Sequence, residues 1–142
     1  MATSKGQRLL LDTHVWLRYQ GISGEVHKSA LPILHRAAAE GTLYISVISI
    51  WETAMLVKRG RLSLNTSVHR WAEEALSKPG INLLPFSPEI AIESVNLPSP
   101  IHKDPADRIL IASARVERMT LVTRDVEVLE FATRTKLAHL RA

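Results

Sequence analysis

Arg8-Leu9-Leu10-Leu11-Asp12-Thr13 puts three consecutive leucines directly before an acid. A short unbroken apolar run fits a strand buried on both faces, the condition of a strand inside a parallel sheet. Residues 13–20 then change period and read as a helix closed by Gly21. Strand, carboxylate and helix in immediate succession make a β-α unit with its acid at the joint.

The rest of the chain repeats that grammar. Residues 29–40 are Ala-rich and helical, with Pro32 tolerable in the first turn and Gly41 as the stop. A second strand is expected at 43–47. Ser49-Ile50-Trp51-Glu52 has the form of a capping box opening a helix that runs to Arg59. Residues 67–77 form an amphipathic segment ended by Pro79-Gly80, and 81–86 a third strand. Ser87-Pro88-Glu89 opens a short helix, and 97–100 is loop. Asp104-Pro105-Ala106-Asp107 supplies an N-cap, a first-turn proline and an acid at the third helical position for a helix to Arg118. A fourth strand at 120–123 ends just before Asp125, and the tail from Glu130 reads as a short helix and an edge strand. Strands alternating with helices imply right-handed crossovers and an α/β fold with a mainly parallel sheet.

The chain's 142 residues suit a single domain over 1–142, with residues 1–7 expected to be a flexible lead. Apolar residues at 46% supply a sizeable core. No apolar run reaches the roughly 20 residues needed to cross a bilayer. The polar N-terminus lacks a signal-peptide core, so a cytoplasmic location is expected and no membrane contact. There is no cysteine, which removes disulfides, thiolate metal sites and cysteine nucleophiles. The net charge of +4 suits a phosphate-rich partner, a weak signal alone.

Asp12 and Asp125 follow apolar strands, and Asp107 lies where a loop enters a helix. In open α/β sheets the carboxyl ends of strands gather into one crevice where ligands bind, so distant acids can converge. Glu52, expected in the first turn of its helix, can point there as well. Crowded carboxylates repel one another unless a cation is present. Oxygen ligands without cysteine favour Mg²⁺ or Mn²⁺ over zinc. Each acid also has a plainer reading: Asp104 as an N-cap, Glu52 and Asp107 as acids complementing a helix dipole, Asp12 and Asp125 as turn residues. Their joint placement favours the metal site.

Four segments carry a resemblance: Leu10-Leu11-Asp12-Thr13-His14-Val15-Trp16; Ile45-Ser46-Val47-Ile48-Ser49-Ile50-Trp51-Glu52 with Lys58-Arg59-Gly60-Arg61-Leu62; His102-Lys103-Asp104-Pro105-Ala106-Asp107-Arg108 with Ile109-Leu110-Ile111-Ala112; and Leu121-Val122-Thr123-Arg124-Asp125. In this order they resemble the PIN-domain ribonucleases, and within them the VapC-type toxins of bacterial toxin–antitoxin pairs. The resemblance implies a three-layer α/β/α sandwich and a Mg²⁺-dependent endoribonuclease, with Mn²⁺ able to substitute, that hydrolyses RNA with metal-activated water. It implies Asp12, Glu52, Asp107 and Asp125 as metal-binding and catalytic acids, Asp12 and Asp107 the surest, with Thr13 and Thr123 as supporting hydroxyls. Asp104 belongs to the subgroup's pattern. A homodimer and a cognate antitoxin are implied partners. Ala106 replaces an aromatic residue often found in the third motif.

Lys58, Arg59, Arg61, Lys103, Arg108, Arg115 and Arg124 lie near these motifs, with Lys58, Arg59, Arg108 and Arg124 the candidates to hold RNA phosphates. His14 and His102 read as hydrogen-bonded bystanders, since a metal site can activate water without them. Trp51 reads as core. Trp16, with Val15, Leu17, Val57 and Leu62, is expected to line an apolar groove for the antitoxin. A PIN-like domain that binds RNA or a protein without cutting is the competing reading. A small-molecule phosphohydrolase is disfavoured by the lack of a Gly-rich phosphate loop.

Overall fold

The leucine triplet is the central strand of a five-stranded sheet, and its side chains alternate between two cores. The computed structural model describes residues 6–101 and 103–142. In chain order the elements are β1 (Leu9–Leu11), α1 (Thr13–Tyr19), α2 (Leu31–Glu40), β2 (Leu43–Ser46), α3 (Val47–Lys58), α4 (Val68–Leu76), β3 (Ile81–Leu84), α5 (Pro88–Val95), α6 (Pro105–Glu117), β4 (Thr120–Thr123), α7 (Val126–Thr135) and β5 (His139–Arg141). The strand order is β3-β2-β1-β4-β5, and every pairing is parallel.

Leu9 and Leu11 join Leu43, Ile45, Val122 and Leu140 on one face, packed against Val15, Trp16, Leu34 and Trp71 of the covering helices. Leu10 points the other way and joins Leu84 and Leu121 beneath Ile90, Leu110, Ile111 and Phe131. Side chains of adjacent strand residues point to opposite faces, so one triplet seeds both layers of an α/β/α sandwich. A fully buried leucine contributes about 1.5–3 kcal/mol relative to exposure, which makes this strand a major source of stability.

Several local expectations hold with small shifts. Pro32 lies in the first turn of α2, and Gly41 ends that helix in the left-handed conformation. Gly80 is more demanding: its φ is +83°, and a Cβ there would stand 1.7 Å from the Ala38 carbonyl oxygen. The turn into β3 therefore passes against α2 at a distance only glycine allows.

Four expectations are corrected. First, the Ser49–Glu52 capping box does not form, because Ser46 at the end of β2 already caps α3, its hydroxyl accepting the Ile48 amide at 3.1 Å. Ser49 and Glu52 thus sit inside the helix, Glu52 beyond its first turn. Second, α7 starts at Val126, directly after Asp125, rather than near Glu130. Third, Trp16 is 1% exposed and Val15 and Leu17 are buried, so none of them lines an open groove. Trp16 packs against Trp71 with ring centroids 5.0 Å apart. Fourth, Trp51 is 53% exposed rather than core, because α3 turns Ile50 and Leu56 inward instead. Residues 1–5 of the expected flexible lead, and His102, lie outside the described residues. Gln7 within that lead donates its amide to the Thr120 hydroxyl.

Candidate active site

The strand order dictates where a crevice must open. Connections leave β1 toward β2 and leave β4 toward β5, in opposite directions, so the carboxyl ends of these neighbouring strands are not roofed by one crossover. Asp12 follows β1, and Asp125 lies two residues beyond β4. Both cap helices: Asp12 Oδ1 accepts the Val15 amide at 2.8 Å, and Asp125 Oδ1 accepts the Val128 amide at 3.1 Å. Asp104 caps α6, accepting the Asp107 amide at 3.0 Å. Three helix N-termini with their positive dipole ends thus surround one cleft, and a carboxylate caps each.

The cleft measures about 480 Å³ and is lined by Asp12, His14, Arg18, Lys103, Asp104, Asp107, Arg124 and Asp125. Thr123 donates to Asp12 Oδ2 at 2.5 Å and accepts the Asp125 amide at 3.1 Å. Thr13 bonds both to Ser49 Oγ, at 2.9 Å, and to Glu52 Oε1. Lys103 Nζ lies 2.5 Å from Asp125 Oδ2, 3.8 Å from Glu127 and 3.9 Å from Asp107.

The electrostatics separate these acids into two groups. Burial, with the charges of Asp104 and Glu52, pushes the Asp107 carboxyl up to about 7. Burial also raises Asp12 and Glu52, each against an opposing threonine hydrogen bond. For Asp125 burial would raise the carboxyl, but the Lys103 hydrogen bond, the Val128 amide and the lysine's charge hold it below its ordinary value. Asp12, Glu52 and Asp107 therefore share raised carboxyls, whereas Asp125 has Lys103 as a close counterion.

The donors are all oxygens, and the negative charge exceeds what the protein neutralises, which fits a hard divalent cation such as Mg²⁺ or Mn²⁺. Among the described residues no group of three or more acids or histidines stands close enough together to hold a metal ion with the side chains as they are. Their oxygens are held by Thr123, Thr13, backbone amides and Lys103.

A family model for the PIN domain matches residues 9–133, from the first residue of β1 to within α7. The chain belongs to the PIN-domain family. It is 29% identical over 117 residues to Ribonuclease VapC22 of Mycobacterium tuberculosis, an alignment covering 82% of this chain and 86% of that relative. Among solved structures, VapBC2 from Rickettsia felis bound to a promoter DNA fragment matches with a TM-score of 0.70 and 19% identity, over 96% of this chain and 99% of that one. FitAcB from Neisseria gonorrhoeae matches with a TM-score of 0.65 and 23% identity, over 93% and 96%. These structural likenesses establish the PIN fold.

Within this PIN domain the anticipated basic residues divide. Arg124 lines the cleft, while donating to the Ala142 carbonyl at 2.8 Å and the Glu25 carbonyl at 3.2 Å. Arg108 is turned to the Ser94 and Ile101 carbonyls, where it ties down the 97–100 loop. Arg115 pairs with Glu93 at 2.6 Å. Lys58 and Arg59 are exposed at the far end of α3, outside the cleft lining. His14 is exposed and lines the cleft. Arg18 escaped the sequence reading, although its spacing of four from His14 places both on one face of α1. No helix among the described residues is long and apolar enough to cross a membrane.

Proposed function

We propose that this PIN domain is a divalent-metal-dependent endoribonuclease toxin, held inactive by a cognate antitoxin. The observation that carries the reading is the gathering of Asp12, Asp104 and Asp107 in one cleft, with Glu52 near enough for its charge to help push the Asp107 carboxyl up to about 7. Similarity to Ribonuclease VapC22 supports RNA as the substrate. The solved neighbours include a toxin–antitoxin complex from Klebsiella pneumoniae, which supports the antitoxin.

Asp12, Glu52, Asp107 and Asp125 would hold Mg²⁺ or Mn²⁺, which when bound supplies positive charge against the scissile phosphate and acidifies a water. The chain's own part is preorganisation. Thr123 and the Val15 amide fix both oxygens of Asp12, and Thr13 turns Glu52 inward. Arg18, Lys103 and Arg124 line the wall and bind the RNA backbone as point or fork donors. His14 is positioned on the same wall as a further donor to RNA.

The same reading takes residues 1–142 as one working unit in the cytoplasm, forming a homodimer. Exposed Ile92 and Val95 on α5, at 64% and 72%, support self-association. Incubating purified protein with total RNA, with Mg²⁺ or Mn²⁺ against EDTA, tests the activity. Cleavage only with metal, and none by Asp12→Asn, is expected. RNA binding without cleavage would instead make the domain a binding module.

A further inference from the structure

Lys103 immediately precedes the cap of α6, and its side chain is 20% exposed. Its ammonium bridges two helix starts: Asp125 and Glu127 at α7, at 2.5 and 3.8 Å, and Asp107 at α6, at 3.9 Å. Ordinary surface lysine pairs are solvated and contribute little. This one is partly desolvated, faces three acids and forms part of the cleft wall beside Asp12, His14 and Arg18. Both oxygens of Asp125 already accept a bond, Oδ1 from the Val128 amide and Oδ2 from Lys103. A divalent cation that approaches Asp125 meets the ammonium within a few ångströms, and the repulsion between the two cations drives the ammonium off. The evicted group stays tethered at the cleft wall by its flexible stem, where a substrate phosphate would arrive.

Resting on the reading of this cleft as a divalent-metal site, we infer that Lys103 is an exchangeable counterion: it competes with the metal for Asp125 and moves onto the RNA phosphate once displaced. Metal binding and substrate binding are thereby coupled through one side chain. Lysine stays protonated throughout, so the exchange needs no proton transfer. A pair serving only to join α6 to α7 would affect folding without opposing the metal.

Calorimetric Mn²⁺ titration of the full chain, together with steady-state cleavage of an RNA oligonucleotide, tests this. Lys103→Met should bind Mn²⁺ about 5-fold more tightly than the parent, the low end of ordinary coupling between sites. It should also show a raised KM for RNA with no gain in kcat. Lys103→Arg, which keeps the charge, should bind Mn²⁺ with near-parental affinity. Lys103→Gln takes the place of Lys103→Met if the latter does not melt cooperatively. Parental or weaker Mn²⁺ affinity in the folded neutral variant overturns the competition, and an unchanged KM overturns the transfer to phosphate. Asp12→Asn is the control on the underlying reading: if it binds Mn²⁺ as the parent does, the metal lies elsewhere and both conclusions fall.

Discussion

Thr123 and Asp12, at the carboxyl ends of adjacent strands, are joined by a hydroxyl–carboxylate hydrogen bond of 2.5 Å. The same Thr123 oxygen accepts the Asp125 amide, so one buried side chain sets the positions of two acids. Burial raises the Asp12 carboxyl, and this bond is the strongest opposing influence. We expect Thr123→Val to weaken both Mn²⁺ affinity and cleavage roughly 10-fold, the scale of losing a group that orients a ligand. Parental metal affinity in a folded Thr123→Val protein would remove the hydroxyl from the site.

Replacing the acids themselves should cost more. Asp12→Asn or Asp107→Asn is expected to lower metal-dependent cleavage by more than roughly 100-fold, beyond the range for orienting groups. Both variants should fold, since Asn caps helices as well as Asp does and Asp107 is outside the core. Asp104→Asn keeps the cap of α6 and should retain much of the activity. Equal loss in all three, measured on the same RNA, would promote Asp104 to a ligand.

The raised acids fix the sign of a pH effect. In the metal-free protein Asp107 titrates near 7, above the ordinary carboxyl range, so the native state holds a proton that the unfolded chain has already released. Stability should therefore decline as pH rises from about 4 through 7, by about 4 kcal/mol from this group. Asp12 and Glu52 shift in the same direction. Denaturant melts at pH 5 and 8 in EDTA should show the loss, Asp107→Asn should reduce it, and saturating Mg²⁺ should reverse it. Greater metal-free stability at pH 8 than at pH 5 would contradict this account of the cleft.

The two tryptophans should behave in opposite ways. Trp16, buried against Trp71, should cost about 3–5 kcal/mol on truncation to alanine, through lost contacts and a cavity. Trp51, more than half exposed, should cost no more than about 0.5 kcal/mol. Chemical denaturation of both variants decides it. Comparable losses would mean that Trp51 is covered in solution by a partner or a second copy.

Gly80→Ala combines a left-handed φ with a backbone clash against Ala38, and should destabilise by about 2 kcal/mol or more. Cleavage per folded molecule should be unchanged, because this turn lies outside the cleft lining. A melting temperature equal to the parent's would show that α2 yields at no cost.

Much of the fold was readable from local pattern. The leucine triplet, Gly41 after α2, Ser67 before α4 and Pro105 after Asp104 each act within one turn of their own position, so the chain announces them. The capping box at Ser49 misled because Ser46, three residues earlier, is also a preferred cap residue although no acid follows it at the third position. Ser46 prevailed since β2 ends there with its backbone extended and its hydroxyl free to take the Ile48 amide. The start of α7 was missed because Asp125, read as a site acid, is also a cap.

The sequence by itself determined the parallel α/β fold and the placing of acids at strand ends and helix starts, because periodicity, caps and breakers act locally. Only the tertiary structure decided the state of those acids. Lys103 could have faced solvent by its local sequence, yet α7 brings Asp125 and Glu127 to it. Trp16 and Trp51 exchange their expected roles because the rotation of α1 and α3 on the sheet selects which side chains are covered. That rotation depends on shape and volume matched between residues far apart in the chain, such as Trp16 and Trp71, which no local period encodes.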